Sequence, residues 1–359
     1  MTQQSLRVVI IRRAALDTPD GINIFIFSLA QALVSKGHEV FIVGTTLRDP
    51  ERISELYGIS RHIEVMALAR EDSFNHRYMR VAARWFLVGR PMVDRLRPDL
   101  TIVNGPLPMS FAGRNCVVAH DLERRFERLG PVRTTYKAIT YGRSRHLVAT
   151  CTEIKWALVG QLGMESHRIS VVPTCIDLTA YSGRPLGERE DAILHIGTVD
   201  YKNPSATIQA FGPLGSATAR LYITGKMNAD VRRALDRLDP KIRANVEVLG
   251  FISADRLRAL LGAVKVVSVP SRYFVPVSSP TVIEAFASAT PVVSFEDISR
   301  DLLRDGRSGF VSVDPSEMAG SFHRLMSDGA LWERLSAGAR ATSADYSASK
   351  VADAYLGLT

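Results

Sequence analysis

Apolar residues in this chain fall into short, β-branched runs, separated by longer stretches where they recur at helical spacing. The runs predict strands at Leu6–Ile11, Val40–Val43, Ile63–Ala67, Leu100–Val103, Cys116–Ala119 and Leu147–Ala149. After a break the rhythm resumes at Ile193–Ile196, Arg220–Ile223, Val246–Leu249, Val264–Val269, Pro291–Ser294 and Phe310–Val313. Most intervals are long enough for a helix, and that alternation predicts parallel sheets with helices on both faces. Twelve strands are too many for one twisted sheet, so two are expected.

The break contains DLTAYSGRPLGERED, Asp177–Asp191, a polar stretch with Gly and Pro. It divides the chain into an amino-terminal domain, 1–178, and a carboxyl-terminal domain, 179–344. The final segment, 345–359, is helical near Ser347–Leu356 and is free to pack back on the first domain. The fold class expected is α/β, with two facing Rossmann-like, doubly wound parallel sheets. Ligands of such sheets bind beyond the carboxyl ends of the strands, so the expected site lies in a cleft between the two domains.

Composition agrees with a packed core: 46% of residues are hydrophobic and 23% charged, which excludes a disordered chain. No apolar run is long enough to span a bilayer, and MTQQSLRVVIIRR lacks the pattern of a signal peptide. Cys116, Cys151 and Cys175 are scattered, without metal-ligand or disulfide spacing, which fits a reducing cytoplasm.

The formal charge of +8 changes the picture, because it favours anionic partners. From Asn75 to Pro98, NHRYMRVAARWFLVGRPMVDRLRP carries six arginines and one acid among Tyr78, Val81, Trp85, Phe86 and Val88. A second basic stretch, Arg124 to Arg145, includes Arg125, Arg128, Arg133 and Lys137. Two readings follow: a helix lying on an anionic membrane face, or a domain helix with its apolar side in the core and its arginines in water. No nucleic-acid-binding module is present.

The candidate chemistry sits at predicted strand ends. Gly21 precedes a helix from about Asn23 to Ser35; amides there could approach a phosphate closely, or this is an ordinary Gly before a helix, since neither GxGxxG nor a Walker motif is present. His120 ends the run CVVA and is placed to exchange a proton or bond a hydroxyl; a structural role is the other reading. Gly197 ends a strand, and Lys202 follows it before a helix that starts beyond Asn203-Pro204. A lysine at that junction neutralises a diphosphate, or is an ordinary exposed residue. Lys226 follows another strand end in LYITGKM, and Phe251-Ile252 a third in VEVLGFIS. In VSSPTVIEAFASATPVV, Ser279 is a candidate N-cap and Pro280 the first helical residue. Glu284 then falls in the first or second turn, either beside an anion seat or in solvent.

The order of these segments resembles the retaining glycosyltransferases of the GT-B fold, in particular glycosyltransferase family four. It is clearest in RISVVPTCIDL, ILHIGTVDYKNP, VEVLGFIS, VVSVPSRY and SPTVIEAFASATPVV, and looser in GINIFIFSLAQALVSKGHEV, RPDLTIVNGPLP and VVAHDL. The resemblance implies that Glu284 holds the ribose hydroxyls of a nucleotide, and that the Thr281 and Val282 amides contact its diphosphate. It implies that Lys202 and the Gly21 loop face phosphate, that Phe251 and Ile252 contact the base, and that His120 contacts the donor sugar near the reacting centre.

Two positions depart from the family pattern. Pro276 stands where an earlier glutamate usually contacts the transferred sugar, and Thr198 where an arginine usually faces phosphate; Lys226 or Arg272 are the candidate replacements. The implied activity is transfer of a sugar from a nucleoside-diphosphate donor to an acceptor hydroxyl with retention, without metal or further cofactor. The rival expectations are a non-catalytic nucleotide-sugar-binding protein, and an epimerase or phosphorylase on the same fold.

Overall fold

The computed structural model describes residues 5–18, 20–58, 62–70, 78–105, 107, 109–120, 141, 146–214, 219–273 and 275–358, apart from the side chains of 78 and 79. The chain divides into two compact units, one formed by residues 1–176 with 348–359 and the other by 177–347.

The first unit holds a seven-stranded sheet. Its strands are β1 (Arg7–Ala15), β2 (Glu39–Thr46), β3 (Ile63–Ala69), β4 (Leu100–Asn104), β5 (Arg114–Ala119), β6 (His146–Ala149) and β7 (Ile169–Val171). They lie in the order β3-β2-β1-β4-β5-β6-β7, every neighbour parallel. Val8, Val9, Ile10 and Ile11 are wholly buried, because β1 is covered on both faces and so reads as a continuous apolar run. Register follows from that burial: Val8 and Ile10 lie beside Val40 and Ile42 on one side and Leu100 and Ile102 on the other. β7 was not expected from the sequence. Its run is three residues long and is followed at once by Val172-Pro173.

The helix Gly21–Ser35 covers this sheet and is apolar around most of its circumference. Asp20 caps it, with Oδ1 accepting the Asn23 N–H at 2.8 Å. Gly37, at φ +87°, takes the left-handed turn that ends it. The helix Ala348–Leu356 packs against it: the Tyr355 and Phe25 rings are 6.3 Å apart, and Lys36 pairs with Asp353 at 2.8 Å.

The second unit holds six strands: β8 (Glu190–Ile196), β9 (Arg220–Thr224), β10 (Val246–Gly250), β11 (Val264–Val269), β12 (Val292–Ser294) and β13 (Gly309–Val311). The order is β10-β9-β8-β11-β12-β13, again all parallel. Chain order reverses at β8, and the loops leaving β8 and β11 flank that switch point, where an open sheet of this kind binds ligands. Ile193, Leu221, Val266 and Val293 form the sheet's share of one core with Phe211, Phe322, Trp332 and Leu335 from the surrounding helices.

Candidate functional site

The carboxyl ends of β8, β9, β10 and β11 gather the predicted residues of the second unit through a few backbone bonds. Gly197, at φ +91°, turns the chain out of β8, and its N–H reaches the Thr224 carbonyl at 3.1 Å. Gly225, at φ +105°, lies so close that a Cβ there would stand 2.7 Å from Thr198 Oγ1. Thr198 is therefore buried, and its carbonyl accepts from Asn228 Nδ2. The Gly225 N–H bonds the Gly250 carbonyl at 2.7 Å, which brings in the Phe251–Ile252 turn. On the other side, the Arg272 N–H bonds the Tyr201 carbonyl at 2.7 Å and ties the loop after β11 to the loop of Lys202.

The helix Pro280–Ala287 supplies the centre of the site. Lys202 Nζ donates to Thr281 Oγ1 at 3.3 Å. One turn further along, Glu284 is 5% exposed, so the solvent reading of this residue is wrong. Its neighbours on the helix are apolar and packed, and the carboxylate points inward with them. Tyr181 donates its phenol O–H to Glu284 Oε1 at 2.7 Å.

Burial raises the Glu284 pKa, against the pull of the Tyr181 hydrogen bond and the charges of Lys202 and Arg258. Burial lowers Lys202 to about 8, while the nearby Glu284 charge acts the other way. Each ionised group thus lessens the cost of the other's desolvation.

Three buried polar atoms around this pair lack any hydrogen-bond partner: Asn203 Nδ2, Ser271 Oγ and Ser279 Oγ. Ser279 occupies the N-cap position without making the side-chain cap bond. Buried polar atoms are nearly always paired in folded proteins, so each of these has bonding capacity left for a water or a bound polar group. The Val282 amide already bonds the Ser279 carbonyl at 3.1 Å, within the first turn.

Around this centre the remaining predicted residues are peripheral. Phe251 is 75% exposed at the end of β10, with Lys226 Nζ 5.8 Å from its ring centre. Ile252 is half-buried beside it, and the Arg272 side chain is exposed. Sequence reasoning missed Tyr181, in the segment between the two sheets, and His195, inside the β8 run. His195 is buried: Nε2 donates to the Gly197 carbonyl at 2.9 Å, and Nδ1 accepts from Thr207 Oγ1 at 2.8 Å. Thr207 Oγ1 in turn lies 2.7 Å from Ser268 Oγ. Burial holds His195 neutral, near pKa 3, and the relay fixes the turn that carries Thr198. A polar residue in the middle of an apolar strand was the available signal.

In the first unit, His120 follows β5 and bonds Asn104, which ends β4, through Nε2···Oδ1 at 2.8 Å. Asn104 Nδ2 donates to the Ile11 carbonyl, so its oxygen faces the ring and His120 Nε2 carries the proton. Burial first, then the Arg12 charge, lower the His120 pKa to about 3. The imidazole is neutral at pH 7, with Nδ1 as an acceptor. Gly21 opens its helix in ordinary right-handed geometry. Asp20 beside it takes Arg12 Nη2 at 3.0 Å as well as the Asn23 amide, so a carboxylate of the chain occupies part of this helix end.

Of the two basic stretches, Arg124–Arg145 lies outside the described residues except for Tyr141. In the other, Trp85 and Val93 face the core as a domain helix requires, but Phe86, Leu87 and Val88 do not. Among the described residues no three His, Cys, Asp or Glu side chains converge as a metal site would need.

Residues 190–328 match the family model for glycosyl transferases group 1, and residues 19–180 that for glycosyltransferase family 4. The fold is shared with sucrose-phosphate synthase from Thermosynechococcus elongatus, at 16% identity over 98% of each chain and a TM-score of 0.79. It is shared with Anabaena HepE in complex with UDP, at 15% identity over 98% of this chain and 99% of that one, TM-score 0.75. A glycosyltransferase from Rickettsia africae aligns at 14% identity over 99% and 98%, TM-score 0.73. A search of curated protein sequences gave no match. Two doubly wound parallel sheets with these family matches define a glycosyltransferase of the GT-B fold. Within that class, the chain belongs with the transferases that resemble glycosyltransferase family four.

Proposed function

We propose that the second unit binds a nucleoside-diphosphate sugar and that the chain transfers the sugar, with retention, to a hydroxyl of an acceptor held by the first unit. Products of such a reaction are glycans, glycolipids or glycosylated natural products. The observation that carries the reading is the Lys202–Thr281–Glu284 cluster, with a half-buried ammonium on Thr281, a buried carboxylate one turn away and orphaned polar atoms around them. The ammonium and the Thr281 amide suit a diphosphate, while the second oxygen of Glu284 suits the ribose hydroxyls.

In the reaction the bond between the anomeric carbon and the diphosphate breaks. Lys202 and the helix-end amide stabilise the negative charge that develops on the leaving oxygen. The acceptor oxygen bonds the same carbon, and its proton passes to the departing diphosphate. His120, neutral, accepts a hydrogen bond from a substrate hydroxyl at Nδ1. Phe251 and Ile252 receive the base, and Lys226 and Arg272 stand at the rim in place of the arginine that Thr198 lacks. Gly21 remains assigned to phosphate, in competition with Asp20. Because a side-chain cation supplies the charge, no metal or other cofactor is assigned a role. A cytoplasmic setting is part of the same proposal, supported by three buried cysteines that form no disulfide.

The test is radiolabel transfer from a panel of sugar nucleotides, with Lys202→Ala and Glu284→Ala beside the parent and chelator in a parallel arm. Transfer falls by at least tenfold in each variant on this assignment, because a charge-assisted contact is worth about 1.5–3 kcal/mol. Undiminished turnover in both variants refutes the site, and loss of turnover with chelator refutes the metal-free reaction. Nucleotide binding without any transfer makes the chain a binding protein.

A further inference from the structure

The connection between β3 and β4 carries a surface that glycosyl transfer does not account for. The helix Tyr78–Arg84 widens into a π-turn, Trp85–Gly89, where the Arg90 N–H reaches back five residues to the Trp85 carbonyl, and then continues as Arg90–Arg95. Trp85 pins this turn: it is wholly buried, its Nε1 donates to Thr45 Oγ1 at 2.9 Å, and its ring meets Phe111 edge-on at 6.1 Å. A Cβ on Gly89 would collide with the same ring. Thus a rigid base holds out the next three residues. Phe86 is 55% exposed, Leu87 70% and Val88 42%. Single exposed apolar side chains are ordinary, but three in succession on a fixed turn are not.

The exposed charge beside them is mostly cationic. Arg80, Arg90, Arg95 and Arg97 are exposed on the same connection; among its described acids, Asp94 lies 3.6 Å from Arg90 and Asp99 accepts the Arg7 N–H. Arg84 turns inward to the Leu68 carbonyl. We propose that this turn is a docking surface for an anionic lipid bilayer. Phe86, Leu87 and Val88 enter the boundary between headgroups and acyl chains, and the arginines lie on the phosphates. A second protein is the poorer occupant. Three apolar side chains on a connection with mostly cationic exposed charge fall far short of the roughly 20–30 residues a side in a stable protein interface. Among the described residues no helix is long and apolar enough to cross a membrane, so the contact is peripheral.

Position gives the surface a use. Thr45 and Leu68 stand at the carboxyl ends of β2 and β3, the end of the sheet that also carries Asn104 and His120. The same turn therefore brings the acceptor-binding end of the first unit to the lipid. On the transfer reading above, on which this one consequence rests, the acceptor is itself carried on a lipid.

Sedimentation of the whole chain with phosphatidylcholine vesicles, with and without added phosphatidylglycerol, tests the surface. The parent is expected to sediment with the anionic vesicles and to stay in solution with the neutral ones. Phe86→Ser with Leu87→Ser, or Arg90→Gln with Arg95→Gln, lowers the partition constant about tenfold or more while leaving the melting temperature unchanged. Leu87→Trp adds a readout independent of sedimentation, a blue shift of its emission on anionic vesicles. Failure to bind either vesicle, or equal binding by the serine pair, overturns the proposal. So does self-association in gel filtration that the serine pair abolishes. Nucleoside-diphosphate binding, measured on the same samples, reports on the transferase reading separately, since none of these residues belongs to the second unit.

Discussion

On the proposed transfer, Lys202 places a pH dependence on donor binding. Its ammonium ionises near pH 8 because burial disfavours the charged form more than Glu284 favours it. A diphosphate binds the protonated form. Below pH 8 that proton is already present, and above it binding must take one up, so affinity falls by up to tenfold per pH unit. Calorimetric titration of UDP between pH 6.5 and 9.5 is the measurement, with flat affinity as the contrary outcome. Lys202→Arg, charged throughout, should remove the slope.

Glu284 works with the opposite sign. Its pKa is raised, chiefly by burial, so on the same proposal its contribution to ribose binding is present above that value and is lost as pH falls through it. Tyr181→Phe removes the donor to Oε1 and raises that pKa further, so the acid limb of nucleotide binding should move to higher pH without loss of fold. Lys202 and Glu284 drew notice in the sequence because they follow a strand end and a helix start, but only the family resemblance chose between the two readings of each. Tyr181 was not, since its partner lies far along the chain and no local pattern links them. His195 was hidden by the apolar run around it. Its removal by His195→Phe keeps the volume but strips the Gly197 carbonyl of its imidazole donor and leaves Thr207 with Ser268 alone, a loss of about 1–3 kcal/mol. Donor KM should then rise, and His195→Gln should recover part of it, whereas a purely structural role would lower stability alone.

At the scale of elements, the loops after β8 and β9 depend on each other through one missing methyl. Gly225 is both left-handed and pressed against Thr198, so Gly225→Ala meets two obstacles, a positive φ and a contact that forces Thr198 to move. The expected result is a loss of about 1–3 kcal/mol in stability together with weakened nucleotide binding. A thermal melt and a UDP titration on the same variant separate the two effects, and normal binding at reduced stability would show that Thr198 is not part of the site. The strands themselves were largely readable, since burial on both faces leaves continuous β-branched runs in β1, β8 and β11. β7 escaped because three residues before a proline carry too little pattern. β1 runs on beyond the apolar run because its backbone still pairs with β2, Arg12 with Gly44 and, past an irregularity, Ala15 with Thr46. The π-turn at Trp85 was equally unreadable: its residues lose the 3.6 period, and which of WFLVG faces inward was decided by Thr45, forty positions away.

At the scale of the molecule, the first unit is completed by residues that follow the whole of the second. After Ser347 the chain bonds the Ile176 carbonyl through the Ala348 N–H at 3.1 Å, then lays Val351, Ala352, Tyr355 and Leu356 into the core around Phe25. Tyr355 is fully buried, and its O–H has no hydrogen-bond partner, so its ring is held there by packing alone. Ending the chain at Ser347 would uncover that side of the helix Gly21–Ser35 and leave a cavity larger than a single Phe→Ala substitution makes. A cost above about 3 kcal/mol to the first unit follows. The second unit is one continuous stretch with its own core, so it should not feel the loss. Calorimetry of the truncated and the whole chain tests this division: one transition moves down or disappears, and the other keeps its midpoint. Tyr355→Ala should reproduce the shift in part. If both transitions fell together, the two units would be a single cooperative body, and the donor site would depend on the last helix for its stability.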